Sequence, residues 1–207
     1  NNVSENNECK NELIFGINSN VYENYKRISV LRLNGKNIML KVITPEDAED
    51  LLNYYKRNEE YLKPFEPLRD ENFYTINYQK ESLEECYRQY LNGESINFGI
   101  YKNDKFIGKI QLSSIILGVF RSAFVGYSID EKEQNNGYMK EALHLVCEYA
   151  FKEMGLHRIE ASTLLDNVKS QKVLISQGFN KLGISRKYLF INGEWKDHMI
   201  FYKVPES

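Results

Sequence analysis

Apolar and polar positions along this chain switch between two periods. Short segments alternate residue by residue, and longer ones repeat every three to four residues, as strands interleaved with helices do. Alternation over Asn37-Ile38-Met39-Leu40-Lys41-Val42-Ile43 predicts a strand. Thr44-Pro45-Glu46-Asp47 then offers an N-cap, a first-turn proline and acidic side chains suited to the positive end of a helix, so a helix through Leu51, Leu52 and Tyr55 follows. A second helix, from about Tyr78 to Leu91, stops at Asn92-Gly93, and INFGIYKNDKFIGKIQL predicts an antiparallel hairpin turning at Asn103-Asp104. Ala123 to Asp130 reads as a third strand of that sheet. Met139, Ala142, Leu143, Val146 and Ala150 recur at helical spacing toward Gly155. His157 to Leu164 is a further strand, Asn167 to Gln177 a short helix stopped by Gly178, and LGISRKYLFINGEWKDHMIFYKV a closing hairpin turning at Asn192-Gly193.

The order is that of one mixed α/β (α+β) domain over residues 28–207. Residues 1–27, rich in Asn, Glu and Ser with one brief apolar patch (LIFGI), read as a flexible N-terminal extension to which no chemistry is assigned. The segment LKPFEPLRDENFY holds two of the four prolines among aromatic and charged residues, and predicts an ordered loop that could serve as a lid.

A length of 207 residues with 42% hydrophobic residues suffices for a substantial single core. The formal net charge of −2 provides no global attraction for nucleic acid or an anionic membrane, so direct nucleic-acid readout is disfavoured. No apolar run approaches the roughly 20 residues that span a bilayer, and the expectation is a soluble, cytoplasmic protein, monomeric or homodimeric. Cys9, Cys86 and Cys147 are odd in number and far apart, and His144, His157 and His198 do not cluster. His144 and Cys147 fall one helical turn apart but lack supporting ligands, so neither a disulfide scaffold nor a metal site is indicated.

One junction carries candidate chemistry. Between the strand ending AFVGYSID and the helix beginning near Met139 lies Gln134-Asn135-Asn136-Gly137-Tyr138-Met139-Lys140. A helix start has unpartnered N–H groups and partial positive charge, Gly137 permits close backbone approach, and Asn135 and Asn136 tolerate the left-handed conformation. Such a loop can form an anion-binding nest for a phosphate or pyrophosphate, or it can be an ordinary helix cap; taken alone, both readings stand, with the cap ahead. The Walker A and three-glycine dinucleotide patterns are absent.

The wider pattern, GYSIDEKEQNNGYMKEAL followed about twenty residues later by DNVKSQKVLISQGF, resembles the GNAT superfamily of acyl-CoA-dependent N-acetyltransferases. Gln134 and Gly137 fill the first two marked positions of that family's Q/R-x-x-G-x-G/A motif, and Met139 replaces the last small residue. This substitution, with NYYKRNEEYLKPFEPLRDE, HRIEA and NGEWKDH, is similar to the RimJ-type subgroup that acetylates the N-terminal alanine of ribosomal proteins. The resemblance spans about residues 28–204. It implies a mostly antiparallel twisted sheet with flanking helices and two splayed central strands that admit acetyl-CoA (coenzyme A).

By resemblance, the amides of Asn135 to Met139, with Gln134 and Tyr138, hold the pyrophosphate, Ser128 and Ile129 pair with pantetheine, and Asn167 bonds the coenzyme arm. Ser170 lies near the sulfur, and a backbone N–H near Tyr127 or Ser128 faces the oxyanion. Asn167 serves equally well as an N-cap. Some relatives carry a glutamate in the closing hairpin as base; aligned on the Asn192-Gly193 turn, this chain has Leu189 there. Glu66 and Asp197 are the remaining carboxylate candidates, Tyr188 is a wall or proton donor, and Phe65, Phe73, Tyr74 and Tyr127 are candidate acceptor-slot residues. For Glu66, Asp197 and Tyr188 an ordinary structural role is favoured. The implied acceptor is a protein N-terminus, alanine or serine of a ribosomal protein; the rivals are a small-molecule amine such as a polyamine or antibiotic, and a non-catalytic acyl-CoA-binding module.

Overall fold

The computed structural model describes residues 30–205; the extension assigned to residues 1–27 lies outside them. An eight-stranded sheet runs in the order β1-β2-β3-β4-β5-β6-β8-β7. Its strands are β1 (Arg32–Asn34), β2 (Met39–Val42), β3 (Ile96–Lys102), β4 (Lys105–Ile116), β5 (Ser122–Ile129), β6 (Arg158–Leu164), β7 (Asn180–Ile191) and β8 (Glu194–Lys203). Every neighbouring pair is antiparallel except β5 and β6, which are parallel. The helices are α1 (Ala48–Arg57), α2 (Glu59–Leu62), α3 (Ile76–Leu91), α4 (Tyr138–Lys152) and α5 (Val168–Ser176).

Strand alternation divides the interior into two layers. Leu40, Val42, Ile100 and Ile107 face a core completed by Leu143, Val146 and Ala150 of α4. Their neighbours Ile43, Tyr101 and Phe106 face the opposite side, where Tyr54 and Tyr55 of α1 and Leu83 of α3 cover them. That second layer is mostly aromatic, with edge-on rings at 5.5 Å for Tyr54 and Phe106 and 4.7 Å for Tyr55 and Phe73.

Local signals act where expected. Thr44 caps a 3-10 turn over Pro45–Asp47 that runs into α1. Asn103-Asp104 and Asn192-Gly193 both take positive φ at their hairpin turns, the mirror-image geometry whose twist suits flanking strands. The prediction omits β1, a three-residue strand whose pairing with β2 only the tertiary fold supplies.

The end of α1 anchors the loop that follows β5. Arg57 Nε donates to Asp130 Oδ2 at 2.6 Å, and Asn58 Oδ1 accepts from the Glu131 N–H at 2.9 Å. Desolvation opposes ionisation of Asp130, yet the Arg57 guanidinium and the Lys132 N–H hold its carboxyl below the usual aspartate range. Asp130→Asn removes the charge and leaves Arg57 without its counter-ion. At pH 7 it is expected to destabilise the protein by about 2–3 kcal/mol in urea unfolding. Because the folded pKa is depressed, the wild-type advantage is complete above the unfolded value of about 3.9 and fades as pH falls through the lower folded value. Equal stability of the two proteins at pH 7 would contradict this assignment.

Candidate active site

The site begins with a parting of strands. β5 and β6 pair only from Ser122–Phe124 to Arg158–Glu160. Beyond that point each keeps its other neighbour: β5 stays on β4 through Ile129, with the Asp130 N–H donating to the Ile107 carbonyl at 2.7 Å, and β6 stays on β8 through Leu164. The facing edges from Val125 to Ile129 and from Ala161 to Leu164 have no ladder between them, so backbone donors and acceptors border a gap. An extended amide-bearing ligand satisfies such an edge as an added strand does.

At the mouth of the gap, Asp130 caps a 3-10 turn over Glu131–Glu133, and the chain then wraps onto the start of α4. Asn135 (φ 62°) and Gly137 (φ 81°) adopt left-handed geometry on either side of Asn136. Asn136 turns its side chain inward, Nδ2 donating to the carbonyls of Glu133 and Gln134 at 3.2 Å each. The first intrahelical bond of α4 runs from the Glu141 N–H to the Gly137 carbonyl at 3.1 Å. Among the described residues, the N–H groups of Asn135 through Lys140 find no protein acceptor. They form a cluster of oriented donors at the positive end of a fifteen-residue helix, which suits a di-anionic group.

A cavity of about 620 Å³ joins this loop to the gap. It brings together Tyr127, Ser128 and Ile129 of β5, Gln134, Asn135, Gly137, Tyr138 and Met139 of the loop and helix start, Asn167 and Ser170 of α5, and Phe65 across the mouth. Asn167 caps α5, its Oδ1 accepting from the Ser170 N–H at 3.1 Å, and among the described residues its Nδ2 has no partner. Ser128 Oγ accepts from Tyr54 Oη at 2.8 Å; burial pushes the Tyr54 phenol well above its ordinary value, so it stays a donor.

The remaining candidates do not line the cavity. Glu66 pairs with Arg69 at 3.3 Å, and its carbonyl accepts from the Asn192 N–H at 3.1 Å, tying the proline-bounded loop to the β7–β8 turn. Asp197 accepts from the Lys187 N–H at 2.8 Å, stabilising the irregular stretch of β7. Tyr188 packs its ring 5.7 Å from His198, and Phe73 is buried in the aromatic layer with Tyr74 against it. Leu189 pairs with Lys196 across the hairpin.

Further lining residues lie outside the motif. Tyr61 and Leu62 wall the cavity beside Phe65, and Lys140, Lys169 and Lys172 add positive charge to its rim. Lys169 Nζ donates to Gln134 Oε1 at 2.8 Å, linking α5 to the loop. A usable signal existed: Lys169 and Lys172 stand one helical turn apart just past the Asn167 cap, and Lys140 sits in the first turn of α4. Among the described residues no group of three or more His, Cys, Asp or Glu could hold a metal.

A model of the acetyltransferase (GNAT) domain matches residues 37–180. The chain belongs to the GNAT acetyltransferase family. Within that family it is 38% identical over 170 residues to the probable N-acetyltransferase YjcK of Bacillus subtilis, covering 81% of this chain and 94% of that one. It is 33% identical over 192 residues to the [ribosomal protein uS5]-alanine N-acetyltransferase of Escherichia coli, covering 90% and 94%. A solved ribosomal-protein-S5-alanine acetyltransferase from Vibrio fischeri superposes with a TM-score of 0.81 at 33% identity, over 86% of this chain and 98% of that one. The GNAT assignment accounts for the parted strands and the unpartnered amides together.

Gly137→Ala tests the loop. A methyl group there meets no protein atom within 4 Å, so its cost falls on the backbone: a side chain is forced into φ 81° at the turn that orients the loop amides. The substitution is expected to lower stability by about 1 kcal/mol and to weaken coenzyme A binding about tenfold or more in calorimetry. Unchanged affinity would place the diphosphate elsewhere.

Proposed function

We propose that this chain transfers the acetyl group of acetyl-CoA to the α-amine of a small N-terminal residue, alanine or serine, of a ribosomal protein. The observation that carries the coenzyme part of this reading is the run of unpartnered N–H groups from Asn135 to Lys140 at the end of an unladdered gap. Acetyl-CoA is the acetyl donor of the family. Here the loop amides and the lysine rim would hold its phosphates, the free edge of β5 its pantetheine amides, and Asn167 Nδ2 a carbonyl of the same arm.

The amine nitrogen attacks the thioester carbonyl directly. The C–N bond forms as the C–S bond breaks, coenzyme A leaves as thiolate, and the surplus amine proton passes to water. A main-chain N–H of β5 near Tyr127 or Ser128 stabilises the oxyanion, and Ser170 meets the departing sulfur.

The acceptor part rests on two observations. Relatives at 33% identity over most of both chains are named as acetyltransferases of the alanine of ribosomal protein uS5. The cavity also offers no free carboxylate as base: among the described residues its one lining carboxylate, Glu133, is paired with Lys102 at 3.2 Å and Lys105 at 3.6 Å, and Glu66 and Asp197 do not line it. An α-amine with a pKa of about 7.7–8.0 is already neutral in roughly a tenth of molecules at pH 7, whereas a lysine amine near about 10.4 is neutral in only about one in a few thousand. A site without a strong base suits the former.

Incubation with acetyl-CoA and a panel of Ala- and Ser-starting ribosomal peptides, Lys-containing N-blocked peptides and small amines, followed by mass spectrometry, tests this. Acetylation is expected on free α-amines, with kcat/KM rising with pH to a plateau above about pH 8 as the peptide amine loses its proton. Preferential acetylation of a polyamine or antibiotic would overturn the acceptor. Coenzyme binding with no turnover on any amine would favour a non-catalytic acyl-CoA module.

A further inference from the structure

Two hydroxyl groups meet across the head of the gap. Tyr127 Oη of β5 lies 2.9 Å from Ser170 Oγ of α5 and donates to the Ser170 carbonyl at 3.2 Å, and both residues line the cavity. Ser170 is held on three sides: Asn167 Oδ1 fixes its N–H, while the phenol engages both its carbonyl and its hydroxyl. Among the described residues Ser170 Oγ has no other partner. The Ser170 proton is therefore free to point either at the Tyr127 oxygen or into the cavity.

We propose that Tyr127 is a positioning residue for Ser170, one that supports a hydrogen bond from the Ser170 hydroxyl to the departing coenzyme A sulfur. The step follows from hydrogen-bond bookkeeping. The resting phenol donates to the Ser170 carbonyl and can accept from Oγ–H. As the C–S bond breaks and its electron pair moves onto sulfur, the negative charge draws the Ser170 hydroxyl toward it. Ser170 Oγ then needs a donor of its own, and the phenol, 2.9 Å away, supplies one. A serine that accepts while it donates is the better donor, because successive hydrogen bonds polarise one another. No covalent proton transfer from Tyr127 is involved: the thiolate is stabilised by the Oγ–H bond and leaves, and the amine proton goes to water.

The surroundings fit a tyrosine that keeps its proton. Burial pushes the Tyr127 phenol well above its ordinary value, which the bond to Ser170 only partly offsets. The nearby Cys147 thiol, pushed up to about 12 by burial, stays protonated as well, so it competes neither as a nucleophile nor as a negative neighbour. A structural strut between β5 and α5 would need the tyrosine ring but not this pairing of its hydroxyl with the one serine at the gap.

The role of Tyr127 rests on the cavity being the coenzyme A site, and its test does not require the acceptor to be known. Coenzyme A is bound to wild type, Tyr127→Phe, Ser170→Ala and the double variant, and the bound thiol is titrated by thiolate absorbance against the coenzyme-free protein. In wild type the bound thiol is expected to titrate below free coenzyme A titrated in the same way. Ser170→Ala should return it toward that value, Tyr127→Phe should move it part of the way, and the double variant should match Ser170→Ala. In turnover, Tyr127→Phe should lower kcat about tenfold with an unchanged KM for acetyl-CoA, and should add nothing on the Ser170→Ala background. Thermal midpoints confirm that each variant folds. A Tyr127→Phe thiol titration identical to wild type, or the same loss in both backgrounds, would overturn the coupling. Absence of turnover with N-terminal peptides alongside the expected titration shifts would defeat the acceptor assignment and leave the role of Tyr127 standing; failure to bind coenzyme A would defeat both.

Discussion

A β-strand has two hydrogen-bonding edges, and the site depends on how β5 and β6 use theirs. Each keeps its antiparallel partner to the end, β4 for one and β8 for the other, while the parallel contact between them stops at Phe124 and Glu160. Backbone groups left facing one another across such a gap need partners. Among the described residues no strand pairs into that gap, and the cavity opens along its β5 side at Tyr127, Ser128 and Ile129. The opening is thus held by pairing elsewhere in the sheet, so its width is set before any ligand arrives, which lowers the ordering cost of binding.

The loop at the mouth follows the same logic. Its amides are oriented by left-handed residues and by Asn136 turning inward, and its base is tied to α1 through Arg57, Asn58 and Asp130. The chain as a whole is slightly acidic, yet Lys140, Lys169 and Lys172 gather at this rim. Local rather than global charge therefore favours an anion here. Glu141, one turn into α4, instead points away to bind Asn37 through its N–H at 2.8 Å and its side chain at 2.9 Å, fixing the helix start against the β1–β2 turn.

Much of this was legible in the chain. The strand–loop–helix order, the caps at Thr44 and Asn167 and the hairpin turns follow from local chemistry that the tertiary fold does not override. The cavity residues Tyr127 to Ile129, Gln134, Asn135 and Gly137 to Met139 are legible because one motif holds them, although Asn136 of the same motif turns inward and does not line the cavity. Tyr61, Lys169 and Lys172 are not legible in this way, because their place in the site comes from packing between distant elements. Glu66, Asp197 and Tyr188 show the converse. A polar residue on a loop or hairpin is ambiguous until its partners are seen, and here the partners are Arg69, the Lys187 N–H and His198. The parting of β5 and β6 itself has no signature in either strand, since it is a property of their outer pairings.

The most direct measurement is a backbone amide titration by NMR with coenzyme A and, separately, with pantetheine, which lacks the diphosphate. Coenzyme A should shift the amides of Asn135 to Lys140 together with those of Val125 to Ile129, and pantetheine only the latter. If coenzyme A leaves the loop amides unmoved while still binding, the diphosphate is not held by the start of α4 and the account of this site is wrong.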